Sequence, residues 1–171
     1  MRPQPDEYNA FYHQYISRVP DDVRGALASQ IEETVGLLSA ADGEYRYAPG
    51  KWTIGEMLGH VIDSERIFAY RALRIARNDP KPMEGFEQDD YVRNAPHPPL
   101  AGLIEEFKIV RQSTNLLFRH LDAEAWSRRG VANQSPVTVR ALAFLIAGHE
   151  LHHRSVLKQK YLTMAIPEPS R

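Results

Sequence analysis

The sequence contains no cysteine and no excess of either charge, and both absences exclude classes of protein. Without cysteine there can be no disulfide framework, thiolate metal site, iron–sulfur cluster or cysteine nucleophile. The 21 Lys and Arg residues almost balance the 22 Asp and Glu residues, so the chain lacks the basic excess typical of proteins that bind nucleic acid or anionic membranes. We therefore expect neither nucleic acid nor membrane as a partner.

Long apolar runs are also missing. No stretch approaches the roughly 18 residues needed to cross a bilayer, and residues 1–5 lack the apolar centre of a secretory signal. The expected location is the cytoplasm. The length of 171 residues, 43% of them hydrophobic, predicts one globular domain over residues 1–171.

Prolines divide the chain into four long proline-free segments: 21–48, 50–79, 100–135 and 137–166. Each segment carries apolar residues at the spacing of one helix face, and none shows convincing strand alternation. The inner face of the third would be formed by Leu103, Phe107, Val110, Thr114, Leu117 and Leu121. The sequence therefore predicts an all-α fold, a four-helix bundle, with a shorter helix before it around residues 6–17.

Two local patterns refine this prediction. Thr53 and Glu56 have the spacing of a capping box, which predicts that the second helix begins just after Thr53. A long connector, residues 78–99, separates the second and third helices and contains five prolines. It is either a crossover stiffened by proline or a flap over a site, where Lys51 and Trp52 could shape the entrance. Residues 167–171 are expected to form a frayed tail.

Three of the seven histidines fall on helix faces that should be buried. His149 and His153 occupy inward positions one turn apart on the fourth helix, where two imidazoles can converge on one cation. His60 lies among the inner apolar residues of the second helix and could supply a third ligand. Burying an unpartnered polar ring costs on the order of 1–3 kcal/mol, and a bound divalent metal removes that cost. For any one of these histidines taken alone, the simpler alternative to metal binding is a core residue held by ordinary hydrogen bonds.

Two acidic neighbours are candidates for supporting this site. Asp63, one turn after His60, could orient an imidazole, ligate weakly or pair with Arg66. Glu150 could support the ligands or carry protons, or it could face solvent. His152 is expected beside the site or in solvent. The remaining histidines are expected on the surface: His13, His97 and His120.

Residues 149–153 also match H-E-x-x-H, the signature of zinc proteases. Such a protease takes a third ligand from further along the chain, and the only acid after His153 is Glu168, between two prolines. No edge strand is predicted that could hold a peptide substrate. The context therefore disfavours a protease.

Residues 49–63 and 147–153 together resemble the two metal-ligand motifs of the DinB/YfiT-like superfamily, and the resemblance extends over roughly residues 20–162. It implies a four-helix bundle, often a homodimer, with a divalent metal held by His60, His149 and His153. Some members are transferases or isomerases that use bacillithiol or mycothiol, and others were first noticed as damage-inducible. The maleylpyruvate isomerase branch has a Glu ligand, so that activity is not expected where all three ligands are His.

The leading hypothesis is a divalent-metal-dependent enzyme of the thiol S-transferase or hydrolase type, acting on a small molecule. Three imidazoles suit Zn, Ni, Fe or Mn, and a low-molecular-weight thiol is a candidate cosubstrate. Two alternatives stay open: a non-catalytic metal-binding module of a stress response, and a bundle whose histidine cluster is only structural.

Overall fold

The computed structural model describes residues 2–162, and most of these residues are helical. Two 3-10 turns, Pro5–Glu7 and Ala10–Tyr12, open the chain, and a π-helical segment, Leu157–Leu162, extends the last helix. The described helices are, in chain order, α1 (His13–Ile16), α2 (Val23–Leu38), α3 (Ile54–Ala76), α4 (Gln88–Asn94), α5 (Leu100–Arg119), α6 (Ala123–Ser127) and α7 (Val139–Val156).

The four long helices form the predicted bundle. Helix α3 packs against α5 and α7, and α2 packs against the same two helices from the other side. The capping box is confirmed, because the Glu56 amide donates to Thr53 Oγ1 at 3.0 Å and the Thr53 amide donates to Glu56 Oε2 at 2.6 Å. The helix expected around residues 6–17 is instead a pair of 3-10 turns followed by α1. The tail expected at 167–171 lies outside the described residues.

Helix α7 occupies the centre of the molecule. Every residue from 141 to 150 is buried, so this part of the helix is covered on all sides rather than along one stripe. The cover on the outer side is α1, which crosses α7 at Gly148. A Cβ atom at Gly148 would lie 2.2 Å from the carbonyl oxygen of Tyr15. The close approach of the two helices therefore requires glycine at this position.

The third proline-free segment departs from its prediction. Helix α5 ends at Arg119, and the chain continues through α6 into strand β1 (Arg129–Ala132), which pairs antiparallel with β2 (Ser135–Thr138). Asn133 and Gln134 between the strands both have positive φ, 48° and 59°, as in a tight hairpin turn. The expectation of no strand was wrong here because strands of four residues are too short to show alternation.

The buried face of α5 also differs from the predicted one. Its buried residues are Leu103, Phe107, Arg111, Thr114 and Phe118. Val110 and Leu117, which the prediction placed on this face, are only half-buried. An arginine is rarely assigned to a core because charged residues are almost never fully buried unless they are paired.

The long connector contains α4 and is tied to the hairpin at one end. The Met83 amide donates to the Val131 carbonyl at 3.0 Å, and the Asn133 amide donates to the Met83 carbonyl at 2.8 Å. Within residues 2–162, no helix combines the length and apolar composition that a membrane span requires.

Candidate metal centre

Helices α3 and α7 bring the three predicted histidines together. His60 comes from α3, and His149 and His153 come from successive turns of α7. The Nε2 atom of His149 lies 3.1 Å from Nε2 of His60 and 3.2 Å from Nε2 of His153. Among the residues that the structure describes, these three are the group of ligand-type side chains close enough together to hold a metal ion.

Hydrogen bonds alone do not satisfy this arrangement. A neutral imidazole carries one N–H and one lone pair, so His149 Nε2 can make a good hydrogen bond to only one of its two neighbours. A divalent cation can accept all three lone pairs at once, and nitrogen ligands around a tetrahedral zinc ion are separated by about 3.3 Å. The donor set and its spacing therefore fit a metal.

Burial keeps all three imidazoles neutral at physiological pH. It lowers the pKa of His60 to about 4, an effect that the nearby Asp89 partly opposes. The pKa of His153 is lowered to about 3, chiefly by burial and then by His60 and His152. The pKa of His149 is also well below its usual value, chiefly through burial and then through the neighbouring histidines. Each ring thus offers a lone pair without having to lose a proton first.

Aromatic side chains surround the three imidazoles. The ring of Trp52 lies 4.9 Å from that of His60, and the rings of Tyr15 and Phe68 lie 5.6 Å and 6.0 Å from that of His149. His152 lies beside the site, as predicted, with its ring 5.2 Å from that of Tyr15. No sequence pattern marks Tyr15. Phe68 lies outside the two histidine motifs, but its helical spacing from His60 places it on the predicted inner face of the second helix.

The connector lies over this site. A cavity of about 390 Å³ is lined by Lys51, Trp52, His153 and, from α4, Asp89. A second cavity, of about 190 Å³, is lined by His60. The connector contributes five of its lining residues: Val92, Ala95, Pro96, His97 and Pro98. This placement favours the flap over the simple crossover. His97 is exposed, as predicted, but it also lines this cavity.

Asp63 lines the smaller cavity beside His60. Its Oδ1 atom lies 3.5 Å from Nη1 of Arg66, so the structure shows the pairing with Arg66 that the sequence allowed. Burial raises the pKa of Asp63, while Arg66 opposes that rise. A role in orienting His60 stays a prediction.

Glu150 is 1% exposed, so the alternative in which it faces solvent was wrong. Its carboxylate accepts hydrogen bonds from Thr34 and from Nη1 of Arg111, the latter at 2.9 Å. The Nε and Nη2 atoms of Arg111 both donate to the carboxylate of Glu65, at 2.8 Å in each case. The Nη1 atom also donates to the side-chain oxygen of Gln30, at 2.8 Å. We call these five residues the Arg111 cluster.

The Arg111 cluster is sealed from water. Arg111 is fully buried and Glu65 is 2% exposed. Burial alone would lower the pKa of Arg111, but Glu65 and Glu150 raise it above its usual value. The arginine is therefore charged, and the cluster pins α2, α3, α5 and α7 together next to the histidines. Sequence reasoning missed it, although Arg111 does lie at helical spacing between Phe107 and Thr114.

The family follows from comparison with known proteins. The family model of the DinB superfamily matches residues 25–157. The chain belongs to the DinB superfamily, and the resemblance predicted from the two histidine motifs is confirmed. No curated protein matches the sequence.

Two solved structures share the fold. YfiT from Bacillus subtilis, described as a probable metal-dependent hydrolase with an unusual four-helix bundle topology, superposes with a TM-score of 0.68 at 14% identity, over 98% of this chain and 95% of that one. A mycothiol-dependent maleylpyruvate isomerase superposes with a TM-score of 0.67 at 15% identity, over 90% of this chain and 67% of that one. At these identities the similarity establishes the fold alone.

Proposed function

We propose that the protein is a divalent-metal-dependent enzyme of the hydrolase or thiol S-transferase type, with the metal held by His60, His149 and His153. One observation carries the proposal: the Nε2 atoms of three neutral imidazoles lie close together beside a cavity that a small molecule can enter. The Nε2 atom of His149 is within 3.2 Å of the Nε2 atoms of both other histidines. Three protein ligands leave coordination positions free, which is typical of catalytic rather than closed structural sites.

A bound divalent ion would supply Lewis acidity there, lowering the pKa of a bound water or thiol towards neutrality. The candidate metals are Zn, Ni, Fe and Mn. Because the chain has no cysteine, any thiol that takes part must arrive as a cosubstrate. The descriptions of the two structural neighbours, one a hydrolase and one mycothiol-dependent, support these two reaction types.

The remaining lining residues have roles that follow from their positions. Trp52 covers one side of His60 and so limits the access of water to that imidazole. Asp89 is the single carboxylate among the residues lining the larger cavity, and Lys51 is its single lysine. A carboxylate in this position can accept a proton from a substrate held at the histidines. We assign this role to Asp89.

Three further expectations belong to this proposal. The resemblance to the superfamily implies a homodimer. The sequence composition predicts a cytoplasmic protein with one domain over residues 1–171. Each of these stays a prediction.

The decisive experiment is metal analysis followed by turnover. Protein purified without a polyhistidine tag should carry close to one divalent ion per chain, and His60→Ala and His149→Ala should carry almost none. His120→Ala, at an exposed histidine, is the matched control and should keep the metal. Metal content unchanged in His149→Ala would overturn the site.

The metal-loaded protein is then assayed with bacillithiol or mycothiol plus an electrophile, and separately with simple esters. Turnover that disappears in His149→Ala and persists in His120→Ala is the expected result. A full complement of metal without turnover on any of these substrates would instead favour the non-catalytic metal-binding module.

A further inference from the structure

Two arginines are buried in the described chain, and only one of them has acidic partners. Arg111 pairs with Glu65 and Glu150. Arg71, on α3, is 4% exposed, yet no carboxylate within residues 2–162 pairs with it. Its hydrogen bond runs from Nη2 to the carbonyl oxygen of Glu84, at 2.6 Å. A buried charge without a counter-charge is unfavourable, and Arg71 lacks the carboxylate partners that Arg111 has.

Arg71 lies on the face of α3 that carries His60. The positions 60, 64, 68 and 71 follow one another at helical spacing. The ring of Phe68 lies between Arg71 and the histidines. Its centre is 5.9 Å from Cζ of Arg71 and 6.0 Å from the ring centre of His149. Ser64, on the same face, has a buried hydroxyl with no hydrogen-bond partner in the described chain. Two polar groups on this face therefore lack full partners.

Part of the Arg71 guanidinium is accessible from solvent. Tyr12 and Tyr91 interact electrostatically with its guanidinium, and Tyr91 is 45% exposed. Tyr12 and Tyr91 belong to the N-terminal segment and to α4, which also border the histidines. Within residues 2–162, the Nε and Nη1 atoms of Arg71 have no hydrogen-bond acceptor, yet they are not fully buried. They stay within reach of solvent.

We propose that Arg71 is the anion-binding subsite of the metal centre and holds the carboxylate of an organic acid substrate. A planar guanidinium with free N–H groups matches the two oxygens of a carboxylate. The acid then spans the Phe68 ring, with its reacting end at the histidines. This inference rests on the proposed function in one respect: it assigns the carboxylate to the substrate of that metal centre. Binding of the anion at Arg71 itself requires no metal.

Benzoate and benzamide test the subsite directly, since they share a shape and differ in charge. The full-length protein, both as purified and after treatment with a chelator, is titrated with each compound by calorimetry. Benzoate should bind with a Kd of about 1 mM or lower, and benzamide at least ~10-fold more weakly. Arg71→Gln should weaken benzoate binding by at least ~10-fold. Arg77→Gln, at an exposed arginine near the end of α3, should leave it unchanged.

Arg71→Lys is the second variant, and it keeps the experiment informative if Arg71→Gln unfolds. It retains the charge but loses the planar fork, so benzoate should bind more weakly than to wild type. Benzoate should bind His149→Ala as it binds wild type, which separates a failed metal site from a failed anion subsite. Three results would overturn the proposal: no saturable benzoate binding to the wild type, equal affinity for benzamide, or full benzoate affinity in both Arg71 variants.

Discussion

The core contains two polar clusters side by side, and they differ in whether their partners are complete. His149 and Glu150 are consecutive residues of α7, but Glu150 belongs to the Arg111 cluster while His149 belongs to the histidine centre. In the Arg111 cluster an arginine meets two carboxylates, and each of its three guanidinium nitrogens donates to an acceptor. In the histidine centre three lone-pair donors face one another without an acceptor.

This difference teaches that burial of a polar group does not by itself indicate function. A complete buried cluster stabilises the relative positions of helices and needs nothing from outside. An incomplete one indicates a ligand that the chain does not provide. Arg71 extends the same contrast, because it is buried but, unlike Arg111, lacks a carboxylate partner.

The largest expected effect comes from breaking the complete cluster. Arg111→Met leaves Glu65 and Glu150 buried without their cation, so the free energy of unfolding should fall by about 3–5 kcal/mol. Urea denaturation measures the change. Arg119→Met, at an exposed position at the end of the same helix, should change it by less than about 0.5 kcal/mol. A loss below about 1 kcal/mol for Arg111→Met would show that the cluster does not hold the bundle together.

The next effect concerns completion of the histidine centre by metal. At a free metal concentration one thousand times its Kd, binding adds about 4 kcal/mol to the free energy of unfolding. A chelator should therefore remove about that amount from the wild type and nothing from His149→Leu. In chelator, His149→Leu should be at least as stable as the wild type, because an incompletely hydrogen-bonded ring has been removed. Equal chelator effects on both proteins would contradict the comparison.

A smaller effect is expected at the contact that covers the histidine centre. Gly148→Ala places a methyl group against the Tyr15 carbonyl, so α1 must move and the free energy of unfolding should fall by about 1–3 kcal/mol. Tyr15 should lose its contact with His149, which intrinsic fluorescence can follow. Gly36→Ala is the control: this exposed glycine of α2 has open space around it, so alanine should stabilise the helix by up to about 1 kcal/mol.

The smallest effect is a pH dependence of stability. It comes from a second buried polar group whose partners are complete, the carboxylate of Glu7, which accepts hydrogen bonds from Thr138 and Arg140. Burial alone would raise the pKa of Glu7, but hydrogen bonds from Arg140 and Thr138 outweigh it and hold the pKa below its usual value. Its ionised form is thus favoured in the folded state. The resulting stability is present above about pH 4.5 and is lost as the pH falls through the folded pKa. Glu7→Gln should flatten the melting temperature over this acidic range, and an unchanged acid slope would contradict the assignment.

Much of the fold was predictable because its signals are local. Helical spacing and proline positions identified the four long helices, and the capping box located the start of α3. The three histidines could be selected together because each replaced an apolar residue on an inner face. These inferences need only the neighbours within one or two turns.

What sequence reasoning missed depends on distant partners. Arg111 is acceptable in the core only because Glu65 and Glu150, 46 and 39 residues away, meet it there. Glu150 is buried because α2 and α5, which supply Thr34 and Arg111, meet α7 there. The position of the connector over the histidines depends on the Met83 contact with the hairpin. No pattern within a single helix carries this information.

The buried course of α7 has a consequence for folding. The contacts that enclose it come from far earlier in the chain: Thr34 bonds to Glu150 across 116 residues, and Glu7 bonds to Thr138 across 131 residues. Such separations slow folding, because long loops must close before the contacts form. During synthesis, Glu7 and Thr34 cannot make these contacts until residues 138–150 have emerged. Two of the three metal ligands are therefore among the last parts of the fold to be enclosed.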